Sequence, residues 1–218
     1  PEQRTREPLR YSFRTYWQLV RDQRLIGYAL SGGFFYGGAY AFIVGTPFAY
    51  IEYYHVSPQA YGWLFGINIL GMMIANYANG RLLSLMGSER LFYRGAWVLA
   101  FSGLVLGLCA WFGWGGLWGL VVPIFVYMSM NGFIVANSVA GALAFFPERA
   151  GSASSLVGAL HYGSGIFSAA LVSWLADGTP KGMALVMGVG GIGCLVAALC
   201  SKGARLELPH SDLHIGRR

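Results

Sequence analysis

One ionisable side chain stands by itself in apolar surroundings: His161, within the run FPERAGSASSLVGALHYGSG at 146–165. An imidazole titrates near neutral pH, so it can carry a proton, act as a base or ligate a metal. Ser164 follows three residues later. A hydrolytic serine needs a base that converges on it from elsewhere and a third group that orients the base. Neighbours on one helix do not converge, and neither a G-x-S-x-G elbow nor an H-E-x-x-H motif surrounds them. No enzymatic activity is expected. His210 and His214 are four apart, a spacing that suits a metal on a helix, but Pro209 and the polar tail read as disordered. No Walker loop occurs, so ATP does not drive the chain. Cys109, Cys194 and Cys200 are odd in number and fall in or beside apolar runs, as helix-packing residues do. No cofactor and no metal are expected.

Amides and rings supply the other candidate chemistry. Asn68 and Asn79 lie about 20° apart on a helix, with Asn76 nearby. Tyr127, Asn131 and Ser138 share another face, and Ser31, Tyr36 and Tyr40 mark a third segment. Such groups serve either as interhelical hydrogen bonds or as ligand contacts.

The elements that must hold them are set by composition. Of 218 residues, 56% are hydrophobic and only 11% charged, against about a quarter charged in a soluble domain. Charges cluster between six apolar runs, 25–51, 61–85, 95–112, 117–146, 150–175 and 183–200. Each approaches or exceeds the roughly 18 to 20 residues that cross about 30 Å of hydrocarbon. Alternating strands of about ten residues do not recur, which disfavours a membrane barrel. The fold expected is an all-α bundle of six transmembrane helices embedded in a lipid bilayer.

Threading the six spans puts 14 of the 15 Lys and Arg on one side, leaving Lys181 alone opposite. By the positive-inside tendency both termini are cytoplasmic, and the net charge of +6 is a topology signal rather than a nucleic-acid footprint. Residues 1–24 read as a cytoplasmic connector arriving from an upstream segment. A helix over 10–24 would gather Arg10, Arg14, Arg21 and Arg24 within about 80°, opposite Phe13, Tyr16, Leu19 and Val20, as interfacial helices do. Residues 201–218 form a cytoplasmic tail.

The spans differ in polar content. The third and sixth carry nothing more polar than Ser102 and cysteines, so they are expected outside, facing lipid. The first, second, fourth and fifth are expected to line a polar interior. In the fifth, Gly151, Ser154, Gly158, His161, Gly165 and Ser168 recur at spacings of three and four, a small-residue seam for close helix approach. His161 falls about 18 Å beyond Arg149, near the bilayer midplane.

Three stretches carry a resemblance. FPERAGSASSLVGALHYGSGIFSAAL resembles the loop and eleventh helix of drug:proton antiporters of the major facilitator superfamily, the Bcr/CflA (bicyclomycin-resistance) family most of all. GTPFAYIEYYHVSPQAYGWLFGIN is similar to that family's seventh helix, outer loop and eighth helix, including Pro47 and Pro58. NGRLLSLMGSERLFYRG resembles the second copy of the superfamily's cytoplasmic loop motif through Gly80, Arg81, Gly87 and Arg90, although Asn79 and Gly80 stand where an aspartate is usual. Pro147, Glu148 and Arg149 fall at the matching loop before the fifth span.

The resemblance implies that the six helices are the C-terminal half of a twelve-helix transporter, a 3+3 inverted repeat in a bacterial inner membrane. It would export a small amphipathic organic substrate in exchange for protons, together with an N-terminal six-helix half. Tyr36, Tyr40, Asn68, Asn131 and His161 are the candidate substrate contacts, with rings for varied organic surfaces and amides for orientation. The alternative is a non-transporting fragment, or an accessory half that needs a partner bundle.

Overall fold

The structure, a computed structural model, describes residues 17–206. Helix α1 spans Gln23–Pro47 and continues as a π-helical turn, Phe48–Tyr53. The change follows Pro47, whose missing N–H interrupts the α pattern. Helix α2 spans Pro58–Met86 and α3 spans Ser88–Phe112. The fourth span comprises α4 (Gly116–Ser129), a π-helical turn (Gly132–Ala136) and α5 (Asn137–Leu143). A 3-10 turn at Pro147–Arg149 leads into α6 (Ala150–Trp174), and α7 runs over Lys181–Leu206.

Local chemistry sets these ends. Asp22 is extended, and its Oδ1 accepts from the Arg24 and Leu25 amides at 3.0 and 2.9 Å, which starts α1. This corrects the single interfacial helix expected over 10–24. Residues 17–21 are helical, Asp22 interrupts them, and Arg24 belongs to α1, while 10–16 lie outside the described residues. Ser57 caps α2 ahead of Pro58, the first-turn position where proline's missing donor matters least. Between α2 and α3, Gly87 takes φ 77 and ψ 154, a conformation open to glycine alone.

Among the described residues, five helical stretches are long and apolar enough to cross a membrane: Gln23–Tyr53, Ser88–Phe112, Gly116–Leu143, Pro147–Trp174 and Lys181–Lys202. The sixth expected span, α2, has the length at 29 residues, but its asparagines and glycines lower its hydropathy. Two expected boundaries shift as well. The third span begins seven residues before position 95, at Ser88, and the fourth is interrupted after Ser129 instead of running evenly through 117–146.

Helix α1 is central, packed on α6 and α7 and touching α5, while α3 packs on α7 and α4. The two helices expected outside, α3 and α7, thus bury one face each and turn Trp97, Phe101, Val189 and Ile192 outward. Helix α2 leans mainly on α4, burying only Asn68, Gly71 and Asn79. At the expected outer end, the Lys181 ammonium lies 5.3 Å over the Trp111 ring. Beside it, the hydroxyl and amide of Thr179 donate to Asp177, which holds that carboxyl below its usual range.

Gln59 and Glu148 are exposed at opposite ends of the bundle, whereas Ser88 is half-buried and bonded to Asn137. In a background lacking Cys109, Cys194 and Cys200, Gln59→Cys should react with an impermeant thiol reagent added outside cells. Glu148→Cys should react only after permeabilisation. The reverse pattern would invert the topology.

Candidate functional site

The fold brings α1 and α6 close enough for side chains of one to bond the backbone of the other. Helix α1 carries two glycine pairs, Gly32–Gly33 and Gly37–Gly38. Ser164 Oγ lies 2.6 Å from the Gly33 carbonyl and 2.7 Å from the carbonyl of His161. Ser168 Oγ donates to the Gly37 carbonyl. Serines four apart on α6 thus meet carbonyls four apart on α1, each presented by a residue without a side chain to intervene.

His161 fits into the same contact. It is 3% exposed, and a Cβ at Gly32 would overlap its ring. The Tyr36 ring stacks on the imidazole at 5.1 Å and 26°, and Tyr162 lies 5.5 Å from Tyr36 on the other side. One turn further out, Tyr40 covers Gly165, where a Cβ would approach the ring to 2.5 Å. The Ala29 backbone acts on the imidazole from α1, yet Nε2 has no hydrogen-bond partner. Tyr162 is 60% exposed while Tyr36 and Tyr40 are half-buried, so the cluster runs from a buried imidazole to an open ring surface.

Of the five candidate contacts, the structure therefore gathers Tyr36, Tyr40 and His161. Asn68, on α2, is buried; its Nδ2 donates to the Leu64 carbonyl at 2.8 Å, while Oδ1 has no partner. Asn131 is half-buried immediately before the π-helical turn of the fourth span. Tyr127 is core: fully buried, stacked on Phe35 at 5.9 Å, with its hydroxyl pressed against Gly38 and Gly190. Ser164 bonds backbone carbonyls and not the imidazole, so no nucleophile–base pair forms.

The small-residue seam is divided. His161, Gly165 and Ser168 are buried against α1, but a Cβ at Gly151 or Gly158 would meet open space and Ser154 is exposed. Towards the N-terminal end of α6 the buried residues are Ala153 and Val157. Of the loop residues, Arg81 lies 5.1 Å over Tyr77, Gly80 and Arg90 are exposed, and Arg149 Nη1 donates to Gln18 Oε1 at 2.8 Å. Pro147 and Glu148 lie exposed in the 3-10 turn.

Three features escaped the sequence reading. Tyr162 went unmarked because an aromatic next to the histidine reads as packing. The α1 glycine pairs were legible as a small-x-x-x-small pattern at Gly33 and Gly37. The third is a buried amide bridge: Asn137 Nδ2 donates to Asn79 Oδ1 at 2.8 Å, and Ser88 donates to Asn137 Oδ1 at 2.8 Å. Asn79 therefore joins α2 to α5, and through Asn137 to α3, by neutral hydrogen bonds.

The described helices form a multi-pass membrane bundle with a buried imidazole and aromatic rings at its central helix contact. The comparisons agree: the chain matches the Major Facilitator Superfamily over residues 12–212 and belongs to it. It is 36% identical over 159 residues to an uncharacterized MFS-type transporter, YdgK, of Bacillus subtilis, covering 73% of this chain and 39% of the relative. It is 29% identical over 185 residues to a bicyclomycin resistance protein homolog of Haemophilus influenzae, covering 84% of this chain and 46% of the relative. The chain spans less than half the length of these curated relatives.

The division of the seam is testable. Gly32→Ala forces a methyl into the His161 ring and should lower stability by about 1 to 3 kcal/mol, as overpacking does. Gly158→Ala enters open space and should be neutral or slightly stabilising. Thermal unfolding of the detergent-solubilised chain would compare them, and equal losses would contradict the observed register.

Proposed function

We infer that the chain is the C-terminal six-helix half of a secondary transporter that exports a small amphipathic organic molecule by proton exchange. The reading places it in a bacterial inner membrane with both termini in the cytoplasm. The observation that carries it is the cluster of His161, Tyr36, Tyr40 and Tyr162 at the α1–α6 contact. A buried imidazole with a free nitrogen is a polar anchor, and the rings beside it offer apolar and cation–π surface to an organic guest. Asn68 contributes a second unpartnered acceptor, and Asn131 an amide at the break in the fourth span.

Membership of the superfamily, and the likeness to a bicyclomycin resistance homolog roughly twice as long, support a role as one of two bundles. Alternating access needs a second body, because a site open on one side cannot be closed and reopened by the same six helices. The outward faces of α2 and α6, with Trp63, Ile67, Leu70, Ile74, Tyr162 and Ile166, are apolar enough to meet another bundle as well as lipid. His161 is the one Lys, Arg, His, Asp or Glu within the described spans that sits in this contact, so most of the proton chemistry falls to the other half.

Coexpression with a matching N-terminal bundle in a pump-deficient host should give proton-dependent efflux that neither half gives singly. Purified Pro1 to Arg218 transporting alone in liposomes would refute the half-transporter reading. In the coexpressed pair, His161→Ala should reduce efflux roughly tenfold, the scale of one buried polar contact, at unchanged membrane abundance. A fall in abundance with efflux per molecule unchanged would make His161 a packing residue.

A further inference from the structure

Helices α3 and α7 meet through their backbones and leave a groove beside that contact. Gly103 makes the meeting: a Cβ there would lie 3.2 Å from the Met187 carbonyl oxygen and 3.3 Å from the Gly188 Cα. One turn on, a Cβ at Gly107 would have nothing within 4 Å. The space left is about 400 Å³, walled by Leu104, Leu108 and Trp111 of α3 and by Leu185, Val189 and Ile192 of α7. All six are more than a third exposed, so the groove opens on the hydrocarbon.

Depth and charge together specify what fits. On α7 the wall runs from Lys181 to Ile192, a rise of about 16 Å, half of the roughly 30 Å hydrocarbon core. The groove is therefore one leaflet deep. Lys181 is itself a wall residue, half-buried at the start of α7. Its ammonium lies 5.3 Å over the ring of Trp111, which belongs to the opposite wall. The charge thus stands in the mouth of the groove, held by a ring contact that does not neutralise it. Trp111, Trp114 and Trp118 are all exposed at this end, and exposed tryptophans gather at headgroup depth. The carboxylate that acts on Lys181 is Asp177, which is exposed and takes both donors of Thr179. Among the described residues no ion pair joins it to Lys181. Threading the sequence puts the other 14 Lys and Arg at the opposite end, so Lys181 stands apart from the set that orients the bundle.

We propose that the α3–α7 groove binds an anionic phospholipid of the leaflet at the Lys181 end, with the phosphate against the Lys181 ammonium and an acyl chain over Gly107 towards Ile192. A cation at headgroup depth above apolar walls one leaflet deep complements such a molecule at both ends. The site shares no residue with the ring cluster and does not depend on which substrate that cluster takes.

The test uses the intact chain reconstituted in liposomes that carry phosphatidylglycerol or phosphatidylcholine with the same photoactivatable acyl chain. Crosslinked lipid is mapped to peptides by mass spectrometry, so that the groove is read separately from the basic end of the bundle. Over 103–112 and 181–192, phosphatidylglycerol should label about fivefold more than phosphatidylcholine, the effect of one interfacial cation. Lys181→Gln should bring the two lipids to parity there, and Lys181→Arg should keep the preference. Gly107→Phe and Leu185→Trp fill the groove and should reduce its labelling by both lipids, while Val98→Trp, elsewhere on α3, should not. Monodisperse elution and helical circular dichroism establish that each variant compared is folded. Equal labelling of the groove by the two lipids in the unaltered chain overturns the proposal. So does a phosphatidylglycerol preference at the groove that survives Lys181→Gln, since the headgroup is then read by another residue. Unchanged labelling in both folded groove-filling variants also overturns it. So does disulfide crosslinking between copies through Leu108→Cys in a chain lacking the native cysteines, which would give the groove to a second copy.

Discussion

The hydrocarbon core offers no water to a hydroxyl or a backbone carbonyl, so every polar group that enters it must find a partner inside the protein. That constraint organises the centre of this bundle. Ser164 and Ser168 reach across to the carbonyls of Gly33 and Gly37 because the two backbones lie close, and they lie close because α1 has no side chains there. The same absence of bulk at Gly32 leaves room for an imidazole, and Tyr36 closes over it. Placement of the buried imidazole therefore follows from helix packing.

Helix α2 answers the constraint differently. Near its N-terminal end Tyr61 meets Thr46 at 3.3 Å, and Phe65 stacks on Phe42 at 5.3 Å. Near its C-terminal end Asn79 is tied to Asn137. Between these ties it leans on α4 through Gly71, where a Cβ would meet Phe125 and Ser129. A helix fastened near its ends, with Trp63, Leu70 and Ile74 turned outward, can shift against its neighbours at smaller packing cost than α1, which is enclosed by α6 and α7. The tie at Asn79 is made by two amides, so it carries no desolvated ion.

The fourth span combines both themes. Its second piece, α5, is held by the Asn79–Asn137–Ser88 bridge, and its first piece, α4, is anchored by Tyr127 between Gly38 and Gly190. The π-helical turn between them puts Asn131 and Gly132 at the junction, with Asn76 of α2 against Gly132. Two well-anchored pieces joined by a wider turn give the span its one irregular point, beside a candidate amide contact.

Much of the architecture was legible in the chain itself. Apolar run lengths and sparse charge determine a membrane bundle, because about 20 residues must cross the hydrocarbon whatever their neighbours are, and loop arginines sort to one side. Helix starts at Asp22 and Ser57 and the turn at Gly87 are local matters of capping and backbone freedom. Pairing between helices was not legible. The seam on α6 was read from its own spacing, yet only His161, Gly165 and Ser168 of it are buried against α1, while Gly151, Ser154 and Gly158 face away. Asn79 and Asn137 each looked like polar content for a cavity, and only the tertiary fold joins them to each other. A sequence specifies which face of a helix is small or polar through a period of 3.6. Which partner that face meets depends on how six axes cross, and that decided which polar groups are satisfied and which, at Tyr50, Asn68, Tyr127 and His161 among the described residues, are left open.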